Sequence, residues 1–139
     1  QEFSVINKTI NEMKYVLDFY SPASEEKLVK YCSISAPNIG VLKRIIFLKF
    51  QGKKHTFINP VVIKKDGLEL QIAENCISLP GEYYKLRRFP GIKISFLDHN
   101  FKTQNKTFIG FEAIMLQHEL DHLDGKIICD GNEKADLKK

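Results

Sequence analysis

An α+β fold, with mostly antiparallel sheets packed around a central helix, is what this sequence predicts, and two observations carry the expectation. Apolar residues recur at helical spacing towards both ends of the chain, and between them run five stretches of strand-like alternation punctuated by turn dipeptides. The 139 residues, 43% of them hydrophobic, can bury one core but not two comfortable ones, so a single domain over residues 1–139 is expected.

The first helix is expected over residues 5–19, where Ile6, Ile10, Met13, Val16 and Leu17 fall on one side and Ser21-Pro22 ends the run. A second helical piece is expected over residues 24–31. Strands follow at 41–50, 56–64, 68–76, 83–89 and 92–98, with Gln51-Gly52 and Asp66-Gly67 as turn signals. The last helix, residues 111–123, takes Gly125 as its C-cap. No internal repeat or low-complexity segment interrupts the pattern.

Composition excludes several classes. The net charge of +4 is modest, and Lys53-Lys54, Lys64-Lys65 and Lys138-Lys139 read as solvated doublets rather than a nucleic-acid stripe, so no DNA partner is expected. No apolar run approaches the length of a membrane span and no signal-peptide pattern is present, which predicts a cytoplasmic protein without membrane contact. Three cysteines, an odd count, fit reduced thiols better than a disulfide framework.

Chemistry concentrates in Gln117-His118-Glu119-Leu120-Asp121-His122, an H-E-x-x-H pattern. Residues four apart on a helix stand one turn above each other, so His118 and His122 can offer ring nitrogens to one cation and the central helix becomes a metal-binding helix. Phe111, Ile114 and Met115 precede His118 at i−7, i−4 and i−3, which puts the histidines on the buried stripe. Glu119 is poorly placed to ligate from the same turn but well placed to take a proton from an activated water. A surface helix could carry the same residues by chance, yet two of only four histidines fall in the pattern.

A third ligand cannot come from downstream, since no histidine follows His122 and Glu133 lies in a polar tail. Upstream, Cys32, Cys76, His55, His99 and several carboxylates compete. The alternation that starts at Leu68 puts Ile72, Glu74 and Cys76 on one strand face, and a Cys76 thiolate there would complete a Cys-His-His set with a fourth position open, as catalytic metals require. Cys32 and Cys129 read as buried thiols.

Three motifs in order extend the pattern. Tyr31-Cys32-Ser33-Ile34-Ser35-Ala36-Pro37-Asn38-Ile39-Gly40, Glu74-Asn75-Cys76-Ile77-Ser78 and Gln117-His118-Glu119-Leu120-Asp121-His122-Leu123-Asp124-Gly125 resemble the G-x-G-L-A-A-P-Q-x-G, E-G-C-L-S and Q-H-E-x-D-H-L-x-G motifs of the peptide deformylases. The third match is complete. The second departs at Asn75, where the family has Gly, and conservatively at Ile77. The first keeps Ala36, Pro37 and Gly40 but loses both early glycines and replaces Gln with Asn38.

The resemblance implies removal of the formyl group from formyl-methionyl nascent polypeptides by one divalent metal held by Cys76, His118 and His122. That metal would be Fe2+ foremost, with Zn2+, Ni2+ or Co2+ as substitutes. Glu119 would move the proton, while the Asn38 side chain and the Ile77 backbone N–H would face the oxyanion. An Asn is one methylene shorter than the family's Gln, and an oxyanion donor must sit within about 2.7 to 3.1 Å of the charge. Cys32, Ser33 and Asn75 resemble positions whose backbone pairs with an extended substrate. Ile72, Phe111, Ile114 and Met115, with Ile34 or Cys32 opposite, would form the methionine pocket or plain core. Resemblance also sets Glu74 against Arg88 as a supporting ion pair. A monomer in transient contact with the ribosome is implied. Two alternatives stand beside this reading: a relative that binds metal and peptide with little turnover, and an amidase for another small N-acyl substrate.

Overall fold

The computed structural model describes residues 2–20, 32–76 and 78–135. Its elements in chain order are α1 (Glu2–Tyr20), β1 (Ser33–Ser35), a 3-10 turn (Ala36–Ile39), β2 (Ile45–Phe50), β3 (Lys53–Asp66), β4 (Leu70–Cys76), β5 (Leu79–Arg88), β6 (Gly91–Leu97), β7 (Thr103–Ile109) and α2 (Gly110–Leu123). The strands form a five-stranded sheet in the order β1-β2-β3-β6-β7 and a two-stranded sheet of β4 and β5. Every pairing between them is antiparallel. The expected α+β architecture is therefore present, whereas the helical piece expected over residues 24–31 lies outside the described residues.

Strand β2 explains how both helices find a place. A strand buried on both faces loses polar alternation and reads as a continuous apolar run, and Ile45, Ile46, Phe47 and Leu48 are all buried. Ile45 and Phe47 pack into a core with Ile6, Ile10, Met13 and Leu17 of α1. Ile46 and Leu48 join a second core with Phe57, Ile92, Ile94, Phe96 and Phe108, which Ala113, Leu116 and Leu120 of α2 close from the other side. The first core also takes in Cys76 and Leu86 of the smaller sheet.

Local chemistry sets the strand limits. Residues Gln51 and Gly52 both have positive φ, 52° and 78°, and Phe50 faces Lys53 across them, which is the two-residue loop whose twist suits an antiparallel hairpin. Pro60 lacks an N–H, and the β3–β6 register shifts between Ile58 and Val61, as a proline inside a strand requires. The strand expected from residue 41 begins only at Ile45, because the Val41 N–H closes the 3-10 turn on the Ala36 carbonyl at 3.1 Å and Leu42 is almost fully exposed. Strands β1 and β7 lie outside the expected set. The first is three residues long and buried throughout, and the second is an edge with Phe108 its one buried side chain.

Removing a fully buried aliphatic side chain costs about 2 to 5 kcal/mol through lost transfer energy and a residual cavity. Leu17 is 1% exposed in the α1 core, so Leu17→Ala is expected to lose about that much stability in urea denaturation. Val61→Ser, on an outward face of β3 where Val61 is 62% exposed, is expected to change it by under about 0.5 kcal/mol.

Candidate metal centre

Helix α2 carries His118 and His122 one turn apart, and their Nε2 atoms stand 3.2 Å from each other. The last residue of β4 brings Cys76 Sγ to 3.1 Å from His122 Nε2. All three residues are buried, and their donor atoms lie within 4.8 Å of one another. Tetrahedral bonds of about 2.1 Å to nitrogen and 2.3 Å to sulfur would set such donors about 3.3 to 3.6 Å apart. The two separations at His122, 3.1 and 3.2 Å, lie within a few tenths of an ångström of those values, so the set fits one small cation.

The rings are held by their outer nitrogens. His118 Nδ1 lies 2.8 Å from Glu74 Oε1 and His122 Nδ1 lies 3.0 Å from the Lys126 carbonyl. Both partners are acceptors, so each Nδ1 donates and each Nε2 is left to face Cys76. The Lys126 carbonyl is delivered by the end of α2. Gly125, at φ +80°, donates to the His122 carbonyl at 3.0 Å, and the Lys126 N–H donates to that of Asp121 at 2.8 Å. This paired closure follows a left-handed glycine past a helix end, so the expected Gly125 stop also aims a ring.

Glu74 is fixed in turn. Arg88 grips it with Nε to Oε2 at 2.6 Å and Nη2 to Oε1 at 2.9 Å, and sends Nη1 to Asp121 Oδ2 at 2.6 Å. Gln117, the first residue of the third motif, donates to the Phe89 carbonyl at 2.8 Å and accepts from the Phe89 N–H at 2.9 Å, stitching α2 to the residue after β5.

Electrostatics match this arrangement. Burial alone would push the Cys76 thiol up, but hydrogen bonds to His118 and His122 outweigh it and bring the thiol down to about 6. Burial disfavours a charged His118, yet its bonds to Cys76 and Glu74 prevail and raise it to about 10. Burial also opposes charge on Glu74, and the Arg88 and His118 bonds overcome it, holding the carboxyl below its usual range. Glu74 and Asp121 share the one guanidinium of Arg88, while Cys76 and Glu119 face the two rings, so positive charge between the rings is favourable whether protons or a cation supply it.

Glu119 sits beside the donors and is 2% exposed. Its Oε2 accepts a hydrogen bond from Ser33 Oγ at 2.6 Å, and its Oε1 has no partner among the described residues. Both residues open on a cleft of about 330 Å³ lined by Cys32, Ile72, Asn75, Phe111, Ile114 and Met115 among others. A larger open groove, about 800 Å³, runs along the exposed face of α1 and contains none of these groups.

The sequence pattern of the polypeptide deformylase family matches residues 1–138. This chain belongs to that family. It is 32% identical to the peptide deformylase of Karelsulcia muelleri over 131 residues, 90% of this chain and 68% of that protein. It is 36% identical to the Clostridium beijerinckii peptide deformylase over 120 residues, 86% of each. Among solved structures it resembles the peptide deformylase from Thermus thermophilus, with a TM-score of 0.80, 26% identity and coverage of 94% of this chain and 73% of that one. It also resembles that from Synechococcus elongatus in complex with actinonin, with a TM-score of 0.78, 27% identity and coverage of 95% and 66%.

Against the deformylase motifs, the structure gathers most of the expected residues and sets two, Ile34 and Asn38, apart. Cys32, Ser33, Ile72, Asn75, Phe111, Ile114 and Met115 line one cleft with His118 and Glu119. Ile34 does not join them; it is fully buried in the α1 core. Asn38 is engaged locally, accepting from Ser35 N at 2.9 Å and Ser35 Oγ at 3.0 Å and donating to Ser78 Oγ at 2.9 Å. Ile77 lies outside the described residues. Tyr83 lines the cleft in addition to the expected set, and its position in β5 carries no motif. Breaking one side of a buried ion pair leaves an uncompensated charge at about 3 to 5 kcal/mol. Glu74→Ala, which leaves Arg88 at 5% exposure with Asp121 alone to offset its charge and takes the acceptor from His118, is therefore expected to lower stability by about 3 kcal/mol, the lower end of that range, in guanidinium denaturation.

Proposed function

We propose that this chain hydrolyses the formyl group from the N-terminal formyl-methionine of nascent polypeptides, with Cys76, His118 and His122 holding one divalent metal and Glu119 moving the proton. The observation that carries the reading is the convergence of three buried donor atoms with a buried carboxylate oxygen left free at an apolar cleft. A thiolate with two imidazoles suits Fe2+, and Zn2+, Ni2+ or Co2+ can replace it. When bound, the cation would act as a Lewis acid that makes water a stronger acid and, by polarising the formyl C=O, makes the formyl carbon a stronger electrophile.

The remaining roles belong to side chains. Glu119 Oε1 takes a proton from the attacking water, the water oxygen bonds to the formyl carbon, and Glu119 returns the proton to nitrogen as the C–N bond breaks. Formate and a free amine leave. Asn38 spends one N–H on Ser78, and its second N–H with the Ile77 backbone N–H serves the developing oxyanion. Ile72, Phe111, Ile114 and Met115 take the methionine side chain in the apolar wall of the cleft. The backbone at Cys32, Ser33 and Asn75, along the cleft, pairs with the extended peptide.

We place the protein in the cytoplasm as a monomer, in transient contact with the ribosome where formylated chains emerge. No helix among the described residues is long and apolar enough to cross a membrane.

Turnover of formyl-Met-Ala-Ser by protein handled under argon and loaded with Fe(II) or Ni(II) tests the reading. Glu119→Ala is expected to lower kcat by about 10²- to 10⁴-fold while keeping one equivalent of metal. Absence of turnover in fully loaded wild-type protein would exclude the activity. Cys76→Ala removes the thiolate and is expected to lose the metal to a chelator that leaves wild-type protein loaded, as read by metal analysis after dialysis.

A further inference from the structure

Ser33 occupies a position where the deformylase motif carries glycine, and its side chain reaches the proton-moving carboxylate. Strand β1 pairs Ser33 with Leu48, and the Cys32 carbonyl accepts from Lys49 N at 2.7 Å, so the backbone bearing this hydroxyl is tied to β2. Ser33 is 6% exposed. Its Oγ lies 2.6 Å from Glu119 Oε2, and the Met115 sulfur at 3.8 Å is its other close polar neighbour. An ionised carboxylate only accepts, so the serine proton must point at Oε2, and the short separation marks a charge-assisted bond. Glu119 Oε1 is equally shielded and has no partner among the described residues.

The two oxygens of a carboxylate are chemically identical until something distinguishes them, and a glutamate on a helix can swing its terminal group through a broad torsional range. One short bond to a sheet-mounted hydroxyl removes that freedom. We infer that Ser33 is a positioning residue of this chain, fixing Glu119 through Oε2 so that Oε1 alone is presented to the attacking water. The inference rests on the reading of Glu119 as the proton-moving group. It gives Ser33 a side-chain task beyond the backbone pairing that its place in the motif implies. A serine acting in this way sets how often the base is aligned, so it governs kcat and leaves peptide binding largely untouched; misplacing a reacting group by about 1 Å can cost on the order of 10²-fold.

The test uses the metal-loaded protein with formyl-Met-Ala-Ser. Ser33→Ala and Ser33→Gly, both lacking the hydroxyl, are expected to lower kcat by about 10- to 100-fold. KM is expected to stay within about twofold and one equivalent of metal to be retained, since the main chain that pairs with the peptide, the apolar side chains of the cleft and the three donors are all kept. Independently of activity, urea midpoints of loaded wild type, Ser33→Ala, Glu119→Ala and the double variant form a cycle. The double variant is expected to lose less than the two single losses together, because the second substitution removes a partner already gone. An unchanged kcat in both serine variants, or additive midpoint shifts, would overturn the inference. If Glu119→Ala is inactive while both serine variants turn over normally, the inference alone fails. Full turnover by Glu119→Ala would remove the reading of Glu119 itself.

Discussion

The guanidinium of Arg88 is the constraint on which the rest of the centre depends. It leaves β5 at 5% exposure and grips both oxygens of Glu74 on β4, then reaches Asp121 on α2. Through Glu74 it orients His118, and through Asp121 it clasps the same helix a turn away. Among the described residues, Cys76 at His122 and Phe89 at Gln117 are the other polar links here, and this chain of charges sets where Cys76 meets the two imidazoles. Pairing buried charges rarely adds net stability relative to apolar packing. Here its product is registry, since a sheet that slid by one residue would turn Cys76 and Glu74 away from the helix.

Much of this was legible because chemistry restricts residue types at fixed spacing. An i, i+4 pair of histidines with a glutamate between them means little outside a helix, and the alternation from Leu68 puts Glu74 and Cys76 on one face by pattern alone. The burial of Glu74 and Cys76, with Ile72 half-buried, against the exposure of Gln71 and Ala73 follows that pattern towards the end of β4. The family assignment likewise rests on motifs that the chain displays openly.

What was not legible lacked a periodic signature. Strand β1 is too short to alternate, so nothing in Ser33-Ile34-Ser35 separates the hydroxyl that reaches Glu119 from the isoleucine that enters the α1 core. Strand β7 is a polar edge whose partner β6 supplies the order. Val41 and Leu42 look like the start of β2 but belong to a connection whose hydrogen bond closes a 3-10 turn. Asn38 shows the same limit on a single side chain, for its carbonyl oxygen is captured by Ser35 three residues earlier, a local competition that motif matching does not weigh.

One support of the centre is made of main chain. His122 leans on the carbonyl of Lys126, and that oxygen is identical for every amino acid. What fixes its direction is the positive φ of Gly125, where an added Cβ would meet no neighbouring atom yet would force an unfavourable backbone. Alanine scanning would thus be blind at residue 126, passing over a position whose atom orients a ring. At residue 125 it would register a loss with no contact to account for it. Drift at residue 126 would be silent, and the apparent importance of an empty-handed glycine beside it would be the only outward trace of the bond.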